Sequence, residues 1–327
     1  MSKKIKTVGV LTSGGDAPGM NAAIRAVVRT SVFYGKRVFG INRGYDGLIE
    51  NEVEELTSRS VKNILSLGGT ILKSARSEAF KTEEGRQKAF EVLQSNNIDA
   101  LVIIGGNGSF TGANIFSSEF DVPIIGVPGT IDNDLFGTDK TIGYDTANNT
   151  VLQCVDKIRD TASSHNRLFL VEVMGRDAGF IALNTGLASG ALDIILPEEN
   201  KSIEELFAEI EKGASNKKTS NIIIVSEGNK LGGSFDIAKK LKEKFNQLDI
   251  KVTILGHLQR GGSPSCSDRV LSSELGVAAI EGLLNGRSGV MVGKINNQIT
   301  YTFFEQAIYN KAYIDQELLR ISKILSI

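Results

Sequence analysis

The sequence has few of the residues that build covalent cross-links or multi-histidine metal sites. Its 327 residues include no tryptophan, two cysteines and two histidines. Cys154 and Cys266 lie far apart and form no Cys-x-x-Cys pair, which argues against a disulfide framework and a zinc knuckle. We expect both thiols to be small buried hydrophobic groups. The two histidines, His165 and His257, cannot form a multi-histidine metal site within one chain.

Net charge and long apolar runs are also missing. The chain has 37 basic and 38 acidic side chains, a formal net charge of −1, so any anion site must be local and no nucleic-acid partner is expected. No apolar run reaches the ~18 residues of a membrane helix, and the first residues lead into a strand and not into a signal-peptide core. We therefore expect a cytoplasmic protein without a membrane partner.

Alternating apolar runs and helical patterns predict a parallel α/β architecture. The length favours two domains. Strands are predicted at 6–11, 37–41, 99–104, 123–127, 168–173, 193–196, 221–225, 251–255 and 290–295. Helices are predicted from about residue 20, at 83–94, 146–159, 203–212, 237–245 and 270–284, and over the last ~20 residues. A turn is predicted at 44–47, and the 35 glycines cluster at the ends of apolar runs.

Two glycine-rich turns follow predicted strands, at 12–19 and 105–109. Backbone N–H groups in such a turn, and at the start of the helix that follows, could bind phosphate. Neither turn is a P-loop, since no Gly-Lys-Ser/Thr follows, and neither fits the Gly-x-Gly-x-x-Gly dinucleotide pattern. Each is also consistent with a tight strand-to-helix connection.

The segment 128–134, Pro-Gly-Thr-Ile-Asp-Asn-Asp, follows the predicted strand 123–127. Ligands of open parallel sheets bind at the carboxyl ends of strands, where this segment lies. Asp132 and Asp134 would point to the same side if the backbone is extended. Two carboxylates beside the Thr130 hydroxyl suit phosphoryl transfer, with one accepting a proton and the other helping to hold magnesium. An Asx-rich turn is the alternative interpretation.

Several basic side chains outside this segment are candidates for binding an anion. Arg76 lies between small residues, and a planar guanidinium suits phosphate. His257 comes three residues before Arg260, an arrangement that favours ligand binding over a structural role. Arg25 and Arg29, four apart on one helical face, are either solvated or could bind an anion at a subunit surface.

Taken together, these motifs resemble those of the bacterial ATP-dependent 6-phosphofructokinases (the type A family) over nearly the whole chain. The resemblance is carried by 12–21, 68–76, 105–109, 128–134, 163–167, 174–176 and 256–264. It implies a glycolytic kinase with two Rossmann-like three-layer α/β/α domains, mainly parallel sheets and an active site in the cleft between the domains. The ATP-binding domain would comprise 1–143 and 259–308, and the sugar-phosphate-binding domain 144–258 and 309–327.

The reaction implied by the resemblance is transfer of the γ-phosphoryl group of MgATP to the 1-hydroxyl of fructose 6-phosphate. Asp132 would take the sugar proton, Thr130 would bind the transferring group, and Asp134 would support the metal region. Arg76 and Arg176 would neutralise charge on the phosphoryl oxygens. The ATP site would comprise Gly15, Arg76, Ser77, Gly106, Asn107, Gly108 and Ser109. The sugar phosphate would contact Thr130, Ile131, Asp132, Arg167, Met174, Gly175, Arg176, Glu227, Lys251, His257, Leu258, Gln259 and Arg260.

The same resemblance implies a homotetramer whose active and effector sites are shared between subunits. Arg167 and Lys251 would reach in from a neighbouring subunit. An effector site for ADP or phosphoenolpyruvate would use Arg25, Arg29, Arg159 and Lys218. Other effector positions of the family are replaced here by Ser58, Leu192 and Asn216, so we expect ADP activation to be weak or absent.

Two departures from the family pattern fall in the active site. Asn107 stands where the family has an Asp that engages magnesium, although magnesium also binds through substrate phosphates. Lys251 stands where the family has an Arg, which exchanges a bidentate fork for a point charge. A catalytically weakened paralogue with a binding or regulatory role is therefore the alternative. A pyrophosphate-dependent enzyme is disfavoured because Gly108 and Gly129 leave room for an adenine nucleotide.

Overall fold

The structure, a computed structural model, describes residues 5–163, 167–215 and 222–325. Its strands are β1 (Thr7–Thr12), β2 (Arg37–Ile41), β3 (Val53–Leu56), β4 (Ala100–Gly105), β5 (Ile124–Pro128), β6 (Arg167–Val173), β7 (Asp193–Ile195), β8 (Ile222–Ser226), β9 (Asp249–Ile254), β10 (Val290–Ile295) and β11 (Gln298–Phe303). Its helices are α1 (Met20–Phe33), α2 (Gly44–Ile49), α3 (Glu83–Ser95), α4 (Asn107–Phe120), α5 (Tyr144–Ser163), α6 (Phe180–Ser189), α7 (Ile203–Ser215), α8 (Ser234–Lys244), α9 (Cys266–Leu284), α10 (Phe304–Tyr309) and α11 (Gln316–Leu325).

The chain divides into two compact units, each with one sheet. The first unit contains the described residues of Met1–Ile131, Leu135–Thr146 and Arg260–Ala312. The second contains those of Asp132–Asp134, Ala147–Gln259 and Tyr313–Ile327. Both sheets are mostly parallel, which confirms the predicted α/β class.

The sheet of the first unit has seven strands in the order β11-β10-β5-β4-β1-β2-β3. Its outer pairs, β10 with β11 and β2 with β3, are antiparallel. The central strands β1, β4 and β5 are buried along their whole length. Strands of a parallel sheet are covered on both faces, and their sequences are therefore continuous apolar runs. Their carboxyl ends meet at one edge, where Thr12 pairs with Ile104 and Gly105 pairs with Pro128.

The sheet of the second unit has four parallel strands in the order β7-β8-β6-β9. Its core contains Leu170 of β6, Ile223 of β8 and Leu241 of α8. The carboxyl ends of β6 and β8 again lie together, since Val173 pairs with Ser226. In the part of the chain that the structure describes, no helix is long and apolar enough to cross a bilayer.

Most predicted strands and helices are present with ends shifted by a few residues, but three predictions are wrong. The predicted turn at 44–47 is the start of α2, after Arg43 in a left-handed conformation. The C-terminal helix is interrupted, because Lys311 makes a β-bridge with Leu135 between α10 and α11. Cys266 is exposed at the start of α9 and Cys154 is half-buried, so neither thiol is a core group.

We expect Phe304→Ala to lower the free energy of unfolding by about 3–5 kcal/mol, as for other buried phenylalanines. Phe304 is fully buried, and its ring lies 5.4 Å from that of Phe110. A Cβ on Gly126 would come within 2.7 Å of the Phe304 ring, which shows how closely the core is packed. Equilibrium urea denaturation measures the change. Its neighbour Phe303 is 62% exposed, so Phe303→Ala should stay within about 0.5 kcal/mol of the parent; equal losses would contradict the packing.

Candidate active site

The turns that follow β1, β4 and β5 are joined by backbone contacts in the first unit. The N–H of Ser13 donates to the carbonyl of Ile104 at 3.0 Å, and the N–H of Gly129 donates to the carbonyl of Gly105 at 2.9 Å. A Cβ on Gly105 would lie 2.6 Å from the Ser13 carbonyl oxygen and 2.5 Å from the Ser109 hydroxyl. Glycine is therefore required for this close approach, and the three turns form one polar edge.

The turn at the start of α4 is fixed by a hydrogen bond from Tyr45, whose ring stacks on that of Phe80. The Tyr45 hydroxyl donates to the Ser109 carbonyl at 2.6 Å, and the Tyr45 ring stacks on Phe80 at 3.9 Å. The N–H of Phe80 in turn donates to the Ser77 hydroxyl at 3.1 Å. A Cβ added to Gly108 would meet no atom within 4 Å. The first turn of α4 is therefore open to solvent at Gly108.

The predicted ATP-site residue Gly15 lies against an arginine. A Cβ on Gly15 would come within 2.7 Å of the Arg260 guanidinium, whose Nη1 donates to the Asp16 carbonyl at 3.0 Å. The loop that carries Arg76 adjoins the same turn, because the Thr12 hydroxyl donates to the Lys73 carbonyl at 2.6 Å. Arg76 itself is exposed. The predicted ATP-site residues thus share one edge of the first unit.

In the second unit, Asp132 pairs with Arg176. The Arg176 Nε lies 3.3 Å from Oδ2 of Asp132, and the exposed fractions of the two side chains are 50% and 2%. A carboxylate this buried requires a compensating positive charge, which Arg176 supplies. Arg176 has a φ of 52°, and its N–H donates to Glu227 Oε1 at 2.7 Å. A Cβ on Gly228 would lie 1.9 Å from the Arg176 carbonyl oxygen, so glycine at 228 permits this arginine position.

Other predicted sugar-phosphate residues adjoin this pair in the second unit. The same Glu227 oxygen accepts the N–H of Gly175 at 3.2 Å. The N–H of Met174 donates to Oε1 of Gln259, which is fully buried. His257 and Leu258 are exposed beside Gln259. The structure therefore brings Met174, Gly175, Arg176, Glu227 and Gln259 together at the carboxyl ends of β6 and β8.

Asp132 and Asp134 interact electrostatically, although not through the extended geometry that we predicted. Asn133 has a φ of 54°, so the alternation of side chains along a strand does not apply. Burial raises the pKa of Asp134, and the negative charge of Asp132 raises that pKa further. Asp177 raises the same pKa and was missed from the sequence; its position directly after Arg176 was the available signal.

Arg167 and Lys251 are brought together by Asp249, but away from Arg176. Arg167 Nε and Lys251 Nζ lie 2.9 and 2.7 Å from the two oxygens of Asp249. Arg167 begins β6, whereas Met174 follows its last residue. At about 3.3 Å per strand residue, the two ends of β6 are roughly 20 Å apart. Within one chain, Arg167 and Lys251 therefore do not join the Arg176 cluster.

Of the four predicted effector residues, the structure describes Arg25, Arg29 and Arg159. Arg25 is partly buried and Arg29 is exposed, one turn apart on α1. Burial and the charge of Arg29 lower the pKa of Arg25, so the two guanidinium groups do share one face. Arg159 on α5 donates to the Ser189 carbonyl. Lys218 lies outside the described residues, as do 164–166 of the predicted motif.

The described residues of the site could bind magnesium only together with a ligand that supplies further oxygen atoms. In the ranges that the structure describes, no group of three or more His, Cys, Asp or Glu side chains could hold a metal ion. Magnesium is commonly bound through one or two carboxylates together with substrate phosphates. Asp132 and Asp134 are such carboxylates, and a cation beside them would relieve the repulsion that raises the pKa of Asp134.

Comparison with known proteins identifies the chain's relatives. The phosphofructokinase family model matches residues 7–283. The chain belongs to the phosphofructokinase family. Among curated phosphofructokinases, it is 55% identical to ATP-dependent 6-phosphofructokinase 2 of Bacteroides thetaiotaomicron, over 99% of each chain. It is 51% identical to ATP-dependent 6-phosphofructokinase 1 of Thermus thermophilus, over 99% of this chain and all of that one.

Solved phosphofructokinase structures have the same fold. The Saccharomyces cerevisiae phosphofructokinase is 37% identical with a TM-score of 0.89, over 98% of this chain and 48% of that chain. This chain therefore spans about half the length of the yeast chain. The pyrophosphate-dependent phosphofructokinase of Marinobacter aquaeolei is 22% identical with a TM-score of 0.85, over 98% of this chain and 91% of that chain, a likeness of fold alone.

We expect Asp134→Asn to make the protein more stable at neutral pH. The pKa of Asp134 is raised in the folded chain, so its contribution to stability is present below the ordinary Asp pKa and is lost as the pH rises through the raised value. A neutral amide avoids that loss. Thermal denaturation should show a higher Tm than the parent near pH 7, with a difference that shrinks as the pH is lowered toward about 4.

Glu205→Gln is the control of opposite sign. The pKa of Glu205 is lowered because its carboxylate accepts the Ser202 N–H at 2.7 Å, in a capping box at the start of α7. Its contribution is present above the ordinary Glu pKa and is lost as the pH falls, so Glu205→Gln should lower the Tm near pH 7. A destabilised Asp134→Asn at neutral pH would contradict the electrostatic account of Asp134.

Proposed function

We propose that this chain transfers the γ-phosphoryl group of ATP to the 1-hydroxyl of fructose 6-phosphate, which gives fructose 1,6-bisphosphate and ADP in glycolysis. The observation that carries the proposal is the buried Asp132 with Arg176 against it. It occurs in a chain 51–55% identical to curated ATP-dependent 6-phosphofructokinases. A buried carboxylate beside a guanidinium is suited to accept a proton where phosphoryl groups gather.

Asp132 would act as the general base. One of its carboxylate oxygens would take the proton of the sugar hydroxyl as that oxygen attacks the phosphoryl group. The Arg176 guanidinium, 3.3 Å from Oδ2, favours the ionised carboxylate before the transfer. With Arg76, it would also neutralise charge on the phosphoryl oxygens, while the Thr130 hydroxyl binds the transferring group.

The first unit would bind ATP and the second the sugar phosphate. Support for the nucleotide comes from the polar edge formed by the turns after β1, β4 and β5, where helix α4 begins at Asn107 and backbone N–H groups suit phosphate. Of the two glycines expected to leave room for an adenine nucleotide, Gly108 would have no atom within 4 Å of an added Cβ, which supports the expectation, whereas Gly129 is packed against Ile104 and Met20 and leaves no such room. A faster rate with pyrophosphate than with ATP would overturn this assignment.

Magnesium would be held by the ATP phosphates, with Asp134 supporting the metal region beside the base Asp132. When bound, it neutralises negative charge on the phosphates. Asn107 would contribute an amide oxygen, which carries no charge and is a weaker ligand than the aspartate found in the family. We infer from this that the chain needs more magnesium than a relative with aspartate at that position.

The sugar-phosphate site would be completed by a second subunit. Arg167 and Lys251 lie roughly 20 Å along β6 from the Arg176 cluster, so their contribution would come from a neighbouring copy, as expected for a homotetramer. Arg25, Arg29 and Arg159 would belong to an effector site with weakened ADP activation. A strong shift of the sugar-phosphate saturation curve on adding ADP would count against that weakening.

Replacing the base tests the reaction directly. We expect Asp132→Asn to lower kcat for ATP-dependent formation of fructose 1,6-bisphosphate by roughly 10²–10⁴, because the proton acceptor is lost. Glu84→Gln is the matched control, since Glu84 is an exposed carboxylate paired with Lys88 on α3, and it should keep the parent rate. Retention of more than about a tenth of the activity in Asp132→Asn would exclude the proposed role.

Asn107→Asp tests the metal region. We expect it to lower the magnesium concentration at half-maximal rate, because a carboxylate adds a charged ligand. The measurement is initial rate against magnesium at fixed ATP. An inactive parent whose activity appears in Asn107→Asp would instead indicate a binding or regulatory protein. An unchanged magnesium dependence would show that residue 107 lies away from the metal.

A further inference from the structure

One carboxylate joins two cations at the exposed edge of the four-stranded sheet. Asp249 lies opposite Arg167 in the register of β6 and β9, and Lys251 follows two residues later on the same face of β9. The Arg167 Nε lies 2.9 Å from Oδ2 and the Lys251 Nζ lies 2.7 Å from Oδ1. Each oxygen of the carboxylate therefore binds one cation, as two oxygens of a phosphate would.

The three charged groups are accessible to a ligand. The exposed fractions of the Arg167, Asp249 and Lys251 side chains are 28%, 48% and 46%. The hydrogen bonds from Lys251 and Arg167 lower the pKa of Asp249, so it stays ionised at neutral pH. The cluster then carries a single net positive charge, although two cations lie side by side.

The surroundings of the cluster also attract anions. Lys251 lines a groove of about 620 Å³ between α8 and β9. The described residues that line this groove include three lysines, Lys239, Lys242 and Lys251, against one carboxylate, Glu243. An anion is therefore drawn to Lys251 by the local charge, and Lys251 is already bound to an internal carboxylate, that of Asp249.

We propose that Asp249 is a built-in competitor that weakens anion binding to the Arg167–Lys251 pair. An incoming anion must displace a tethered carboxylate, whose effective concentration is high because it is part of the same strand. A small monovalent anion offers the pair no more charge than Asp249 does, so it stays unbound at ordinary concentrations. A phosphate dianion offers twice that charge and displaces the carboxylate.

For the proposed reaction, Asp249 thus becomes a residue that sets the affinity for the sugar phosphate. This step rests on the proposed function, in which Arg167 and Lys251 contact that phosphate. Asp249 occupies both cations in the absence of ligand, and it thereby limits how tightly they hold the ligand. It is a positioning residue, since it acts through Arg167 and Lys251 and not on the reacting atoms.

The test is Asp249→Asn, which keeps the shape of the side chain and removes its charge. The half-saturating concentration of fructose 6-phosphate should fall by roughly 3- to 10-fold, the combined effect of two exposed ion pairs, while that of ATP is unchanged. Added potassium chloride should raise the fructose 6-phosphate value more steeply in the variant, because chloride no longer competes with a tethered carboxylate. Asp249→Glu should behave like the parent.

Binding of inorganic phosphate to the whole protein separates this inference from the proposed function. Followed by NMR of the arginine Nε–H groups without ATP or sugar, phosphate should bind Asp249→Asn several-fold more tightly than the parent. Glu55→Gln, which removes the exposed partner of Arg37, controls for the loss of one negative charge. Unchanged or weaker phosphate binding in Asp249→Asn overturns the inference, whether or not the parent phosphorylates fructose 6-phosphate.

Discussion

Parallel pairing of buried strands is the constraint on which two groups of residues depend: the turns after β1, β4 and β5 in the first unit, and the residues around Arg176 in the second. Because paired parallel strands run in one direction, their carboxyl ends come out at the same edge, and the turns that follow them must share that space. In the first unit, Gly105 allows this by its lack of a side chain against Ser13 and Ser109. In the second unit, pairing of Val173 with Ser226 brings Arg176 and Glu227 side by side. The chemistry of each cluster is thus assembled by backbone hydrogen bonds.

The groups collected in the second unit are unfavourable to folding when considered one by one. Asp132 is a buried charge, Asp134 has a raised pKa, and Arg176 adopts a left-handed backbone conformation that non-glycine residues rarely adopt. Arg176 relieves both carboxylates, because it compensates the charge of Asp132 and opposes the rise in the pKa of Asp134. Glu227 in turn holds the backbone of Arg176. Such mutual dependence is typical of sites maintained for function and not for stability.

Elements with continuous apolar runs could be predicted from the sequence. Features that depend on the backbone angle of a single residue could not. Central strands such as β4 and β6 were found because their runs are apolar throughout. The edge strands β3 and β11 were missed, because half of their residues face water and their apolar runs are short. The residues around Asp132 were predicted from family motifs. Their arrangement also depends on the positive φ of Asn133, and the pKa of Asp134 depends on the nearby charge of Asp177. The available signals were the tendency of asparagine to adopt a positive φ and the position of Asp177 directly after Arg176.

The contact at Gly228 changes which substitutions can abolish activity. The hydrogen atoms of this glycine face the Arg176 carbonyl, where even a methyl group would lie 1.9 Å from the oxygen. Any larger residue must move the arginine that compensates Asp132. A position with no functional group of its own is therefore as intolerant of change as the charged residues, and a survey of inactive variants would implicate a glycine that touches no ligand.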